Sequence, residues 1–222
     1  MNNSKVGGLI GFNHGGIVSL SSAMGAVTAG NTADSKNTGI ETMAGGLVGD
    51  NEGQIKQSYA TGAVRAGSGV RHPSNHVWVG GLAGNSVVGL VINSYATGSV
   101  SVGDQGYVGG FAGAGGLGIS GTSKSYSAGA ISVTTGSSLI GGFVGDDTGS
   151  PAPSAATYWD LDTSGISDPS KGAGNISNDP GITGLTTAQL QSGLPSGFDP
   201  AIWGESPGIN NGMPYLLALP PH

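Results

Sequence analysis

One short motif recurs five times and constrains this chain more than any other feature. It reads Val6-Gly-Gly-Leu-Ile-Gly11, Ala44-Gly-Gly-Leu-Val-Gly49, Val79-Gly-Gly-Leu-Ala-Gly84, Val108-Gly-Gly-Phe-Ala-Gly113 and Ile140-Gly-Gly-Phe-Val-Gly145, with starts 38, 35, 29 and 32 residues apart. A second block follows each of the first four, as Ser21-Ser-Ala-Met-Gly25, Ser58-Tyr-Ala-Thr-Gly62, Ser94-Tyr-Ala-Thr-Gly98 and Ser125-Tyr-Ser-Ala-Gly129. Two residues beyond these glycines stand Val27, Val64, Val100 and Ile131. Self-similarity at a period of this size is the mark of a repeat architecture whose units bury their apolar faces against each other.

If each repeat is one coil, equivalent residues stack roughly 4.8 Å apart along a parallel sheet. Leu9, Leu47, Leu82, Phe111 and Phe143 then form one internal ladder, and Tyr59, Tyr95 and Tyr126 another. Helix has no place in residues 6 to 150, because each interior glycine costs near 1 kcal/mol relative to alanine. The glycines suit corners that need positive φ or close backbone approach. The chain therefore reads as an all-β protein, a parallel β-solenoid or β-helix of about five coils starting near 6, 44, 79, 108 and 140. Coils of this length suggest three short faces per turn, and the chirality of parallel crossovers favours right-handed winding.

Composition removes several function classes. Seven Lys and Arg against thirteen Asp and Glu give a net charge of −6 with the basic residues scattered, so a phosphate backbone meets no basic stripe and nucleic acid is not an expected partner. With no cysteine, thiolate catalysis and Cys-based metal sites are excluded. No apolar run approaches the roughly 18 residues of a spanning helix, so no membrane insertion is expected, and Met-Asn-Asn-Ser-Lys lacks the apolar core of a signal peptide.

From about residue 151 prolines replace the glycine motif, and residues 151–222 read as an irregular, partly helical cap on a solenoid of residues 1–150. Thr186-Thr-Ala-Gln189 has the form of a capping box, and Asp199-Pro200-Ala-Ile-Trp203-Gly204 that of a capped single turn. Trp159, Phe198, Trp203, Tyr215, Leu216 and Leu217 are the residues expected to cover the last coil. Nothing comparable precedes Val6, so the first coil is expected either to continue a longer solenoid or to meet another subunit.

Residues 45 to 55, Gly-Gly-Leu-Val-Gly-Asp-Asn-Glu-Gly-Gln-Ile, followed by Ser58-Tyr-Ala-Thr-Gly62, resemble the GLUG repeat of large bacterial secreted and surface proteins of the filamentous-haemagglutinin type. Tyr158-Trp-Asp, Thr163-Ser-Gly165, Gly184-Leu-Thr-Thr-Ala-Gln189 and Ile202-Trp-Gly204 resemble the segment that follows such repeats, so the likeness covers nearly the whole chain. The first repeat departs from it at Ser22, where Tyr is expected, and the fifth lacks the Ala-Thr-Gly block. The resemblance implies a parallel β-helical stalk or passenger outside the cell, serving adhesion or surface attachment; fold-level likeness is associational evidence for that function.

Candidate sites are few. Gly113-Ala-Gly-Gly-Leu-Gly118 has dinucleotide-motif spacing but no helix to follow it, and no cofactor is expected. Asp160, Asp162 and Ser164 occupy positions 1, 3 and 5 of a calcium loop with Gly165 at 6, but position 12 is Lys171 instead of a bidentate acid. His72 and His76 flank Pro73 without a third ligand. The insertion of residues 65 to 78 carries Arg65, Arg71, His72, Asn75, His76 and Trp78, donors and an aromatic face suited to a sugar or a protein. Asp50, Asp104, Asp146 and Asp147 sit beside glycines in turns, and no Gly-x-Ser-x-Gly elbow occurs.

The expected function is therefore a non-catalytic structural and adhesive module, extracellular or on a bacterial surface, whose partner is a surface glycan or protein or a second copy stacked end to end into filaments. The alternative is an enzyme acting on extracellular polysaccharide, which needs carboxylates from neighbouring coils to converge. A third reading, ice binding, has only Thr61 and Thr97 in line, with Met24 and Ala128 on either side.

Overall fold

The computed structural model describes residues 4–31, 41–68, 76–103, 105–117, 121–134, 138–149 and 155–221. The chain is a parallel β-solenoid of four complete turns and a fifth, partial one. Each complete turn has five short strands, more than the three faces expected from coil length, because a turn falls after every two to five strand residues.

Sheet 1 stacks Ser4–Gly7, Glu41–Gly45, His76–Gly80, Tyr107–Gly109 and Leu139–Gly141, and sheet 2 stacks Ile10–Asn13, Val48–Asn51, Ala83–Ser86, Ala112–Gly115 and Val144–Asp147. Sheet 3 holds Ile17–Ser19, Gln54–Lys56, Leu90–Ile92 and Thr122–Ser123. Sheet 4 runs from Ser22–Ala23 through Tyr59–Ala60, Tyr95–Ala96 and Ser125–Ser127 to Thr157–Asp160 and Ile182–Leu185, so its ladder continues past residue 150. Sheet 5 contains Val27–Ala29, Val64–Ala66, Val100–Val102 and Ile131–Val133.

The motif columns stack as the repeat predicts. Leu47, Leu82, Phe111 and Phe143 are fully or almost fully buried in one interior compartment, with the two Phe rings stacked 4.6 Å apart. Leu9 is the exception at 49% exposure, since no described coil lies before it. A second interior compartment between sheets 1 and 5 is filled by Val64, Val77, Val79, Val100 and Val108.

The motif glycines serve close approach and not positive φ. A Cβ on Gly46 would overlap Gly81 O and press on the Ala60 Cβ across the core, and Gly81 stands in the same relation to Gly110 and Ala96. This contact links the two sequence blocks: the Gly-Gly pair of a coil faces the small residue after its Ser-Tyr. The positive-φ corner lies elsewhere, between sheets 3 and 4, where Leu20, Gln57, Asn93, Lys124 and Ala156 have φ of 46 to 53°. The serine that follows supports that strained corner. Ser58 Oγ donates to Lys56 O (2.8 Å) and accepts from Ser21 N, while Ser58 N donates to Ser94 Oγ, giving a ladder that Ser125 continues.

The tyrosine ladder lies on the outer side of sheet 4. Tyr59 alternates with Ala60, whose methyl faces the interior, so Tyr59, Tyr95 and Tyr126 project outward, with successive rings stacked 4.8 and 5.2 Å apart. They are nonetheless buried, because the C-terminal segment folds back along this flank. Leu190, Phe198, Trp203, Met213 and Leu216 pack on the ladder, Tyr126 Oη donates to Pro214 O (2.7 Å), and Trp203 Nε1 donates to Asn93 Oδ1 (3.3 Å). Burial raises the pKa of both the Tyr95 and the Tyr126 phenol. Phe198, Trp203 and Leu216 thus cover a flank and not the coil end expected for them, and Leu217 is 47% exposed.

The coil end is closed by Trp159, Ile182 and Ala173, all buried in the main core. Thr157-Tyr158-Trp159 takes the register of Ser125-Tyr126-Ser127, so an indole occupies the column that Ala60, Ala96 and Ser127 fill in earlier coils and lies over Gly142. Gly172-Ala173-Gly174 then docks on Phe143 and Val144 as a truncated further copy of the motif, hidden from sequence comparison because glycine replaces its Leu or Phe. The predicted capping box is present, with Thr186 starting the helix Thr187–Leu190. Asp199 caps a turn, and Trp203–Gly204 leaves it as a strand paired with Tyr215–Leu216.

Candidate functional site: an aromatic row on sheet 1

Sheet 1 presents one outward column in register: Lys5, Met43, Trp78, Tyr107 and Leu139, with His76 beside Glu41 one position pair away. Alternation forces the arrangement, because Val77 and Val79 point into the second core compartment and leave His76 and Trp78 facing out. His76 stacks on Trp78 at 5.1 Å and 26°, and Tyr107 meets His76 at 5.3 Å and Trp78 at 6.0 Å. All three residues are half-buried.

Sheet 2 supplies polar neighbours from the column Phe12, Asp50, Asn85, Ala114 and Asp146. Toward the first coil this border is closed: Lys5 Nζ lies 2.6 Å from Asp50 Oδ2 and 3.3 Å from the Phe12 ring centroid, and Asn85 Nδ2 donates to Asp50 Oδ1 (2.9 Å). Toward the third to fifth coils, Asn85 Oδ1 accepts from Val87 N (3.3 Å), Ala114 is buried and Asp146 is half-buried. Burial raises the Asp146 carboxyl above its ordinary range while nearby His76 pulls it back, and the Tyr107 phenol is raised by burial and then by Asp146. In register, Asp146 stands in sheet 2 beside Ala114, one coil beyond Tyr107. Ring faces next to a carboxylate and an amide can stack on an apolar ring surface and bond to its hydroxyls.

The insertion candidates do not converge as a set. His76 and Trp78 belong to the row, whereas Arg65 projects from the far side of sheet 5, since Val64 and Val77 meet in the core between the two sheets. Arg71, His72 and Asn75 lie outside the described residues. Arg65 shares its face with Thr28, Ser101 and Ser132 in register, a polar strip without an aromatic partner among the described residues. Tyr107 was not singled out from sequence; its offset immediately before Val108, matching Trp78 before Val79, is the signal that pairs them.

The calcium-loop residues are engaged in local structure. Asp160 is fully buried; its Oδ1 accepts from the amides of Asp162 and Thr163, and both its oxygens accept from Thr187 Oγ1 at 3.0 and 2.8 Å. Asp162 Oδ2 accepts from Thr187 N, and Ser164 Oγ from Ile166 N. The oxygens hold a turn against the short helix, and no group of three or more His, Asp or Glu suited to a metal occurs among the described residues. Gly113 and Gly115 lie in a strand of sheet 2, and Gly118 is outside the described residues. Asp104 is likewise outside them.

Thr61 and Thr97 border an open cleft of about 350 Å³ whose other wall is Gly208, Ile209, Asn210, Asn211 and Pro221, so the C-terminal segment stands over this threonine column. Among the described residues no helix is long and apolar enough to cross a membrane. No protein-family model, curated protein or solved structure matches this chain, so its function is argued from the geometry above.

Proposed function

We propose that this chain is a non-catalytic structural and adhesive module of a bacterial surface or secreted protein, and that it holds a glycan on the aromatic row of sheet 1. The observation that carries this reading is the half-buried cluster of His76, Trp78 and Tyr107 on one face of sheet 1, with Asn85 and Asp146 in the neighbouring sheet 2 column. Rings fixed by a stacked backbone lose little freedom on binding, which favours a weak, extended ligand such as a saccharide. The sequence resemblance to GLUG repeats supports the extracellular setting.

The test is a glycan array followed by titration of any hit against the full chain and its Trp78→Ala variant. Trp159 and Trp203 are buried, so quenching of Trp78 fluorescence reports the site directly. The variant is expected to bind at least tenfold more weakly, equivalent to about 1.4 kcal/mol. An array without hits, or a folded variant that binds as well as the parent, overturns the proposal. Release of reducing ends from a bound polysaccharide would favour the enzyme reading instead.

A second reading, assembly through the first coil, is favoured by a separate observation. Leu9, Phe12, Ile17, Leu20 and Met24 are 41 to 64% exposed, and all lie in that coil. An uncovered coil with apolar edges supports pairing with a further coil or a second copy. A head-to-tail filament has less support, because the far end is covered by Trp159, Ala173 and Ile182.

A further inference from the structure

Asp147 and Asp179 are 3% and 5% exposed, and each has one carboxyl oxygen accounted for and one not. Asp147 Oδ1 accepts from Gly149 N (2.8 Å), and Asp179 Oδ1 accepts from Gly181 N (2.9 Å). Both Oδ2 atoms are buried with no donor among the described residues. Asp179 is among the groups that raise the Asp147 carboxyl, through hydrogen bonding and through charge, so the two acids are neighbours, and a proton on Asp147 gives this pair a donor that it otherwise lacks.

The pair lies where the last strip of chain closes the solenoid. Asp147 ends the sheet 2 strand Val144–Asp147, and Asp179 lies in the covering strip that begins at Gly172-Ala173-Gly174. Asn175 fastens the strip from the same place, its Oδ1 accepting from Asp147 N (2.9 Å) and its Nδ2 donating to Asp147 O (2.8 Å). The charged groups acting on Asp147 are Asp179 from the strip and Asp146 from its own strand, both acidic, and His76 acts on Asp146 in turn.

We propose that the Asp147–Asp179 pair is a proton-operated latch that fastens residues 170–182 over the last coil in acid and loosens them toward neutral pH. Two ionised carboxylates in a dry contact repel each other and leave both Oδ2 atoms unsatisfied, whereas one shared proton removes both costs. Burial, followed by the contacts with Asp179, pushes Asp147 up to about 7 from an ordinary 3.8. A group held more tightly as its acid in the closed state favours closure fully below its open-state value. That advantage is lost as pH rises from 3.8 to about 7, with no further loss above.

The test is amide hydrogen exchange of the full chain from pH 4.5 to 8.5, corrected for intrinsic rates and read at Gly142, Phe143 and Gly174, whose N–H groups donate across the closure to Lys171 O, Gly172 O and Val144 O. Protection is expected to fall by up to tenfold per pH unit below about 7 and then level off. Asp147→Asn or Asp179→Asn, which replace the shared proton with an amide donor, should flatten this profile. Flat protection in the parent chain, or an unchanged slope in a folded Asn variant, overturns the latch. Restoration of protection at pH 8 by calcium chloride alone would overturn it too, by making the pair a cation site.

Discussion

The first and last coils carry the same Gly-Gly motif but meet solvent in opposite ways. In the first, Leu9 of the Leu/Phe column is 49% exposed; in the fifth, Phe143 of the same column is 1% exposed beneath Trp159 and Gly172. A stacked coil obtains its burial from its neighbours, so one sequence motif yields a core residue or a surface residue according to what lies beside it. What completes the last coil is not another full repeat. It is a large indole in a column of small residues, a truncated motif at Gly172 to Gly174 and one further strand of sheet 4.

Removing that closure should have the largest effect on stability. Trp159→Ala leaves a cavity beside Phe143 and Ile182 and is expected to cost about 3–5 kcal/mol in denaturant unfolding. A loss below about 1 kcal/mol would mean that the last coil is held by its backbone ladders alone. The next contrast is sharper, because it compares one column at two depths of the stack. A Cβ on Gly62 would overlap Gly25 O, but a Cβ on Gly25 meets nothing within 4 Å. Gly62→Ala should therefore destabilise by about 1–3 kcal/mol and Gly25→Ala by about 0.5 kcal/mol or less. Equal effects would show that another surface lies against Gly25 in solution. The smallest effect on folding is expected from Leu9→Ser with Ile17→Ser, within about 0.5 kcal/mol of the parent. Sedimentation of this double variant tests the assembly reading: if the parent self-associates through the first coil the variant should not, and a parent that stays monomeric at high concentration removes that reading.

The fold was legible because its information is carried by spacing. Columns such as Leu47, Leu82 and Phe111, or Tyr59, Tyr95 and Tyr126, recur at fixed offsets, and parallel register places them on one another. The number of strands per coil was not legible, because the corner between sheets 3 and 4 is made by Gln57, Asn93 and Lys124, residues of unrelated types whose left-handed conformation is supported by the serine after them. The candidate site was half visible. His76 and Trp78 stood out as unusual residues in an insertion, but Tyr107 joins them only through register, and Arg65 leaves them because two valines turn it to the opposite side.

By itself, the sequence determined the repeat, its parallel stacking and the residues that share each column, since these follow from local alternation and from a period the chain states five times. Tertiary structure decided which side of a strand becomes interior. Tyr126 is buried because Pro214 and Asn210 come back to it from 88 and 84 residues away, and no periodicity within the repeat encodes that return. The same holds for Asp147, which reads as a turn residue in sequence but ends a strand, and for Asp179, which the sequence does not single out: both are buried only once the last strip of chain has closed over the coil.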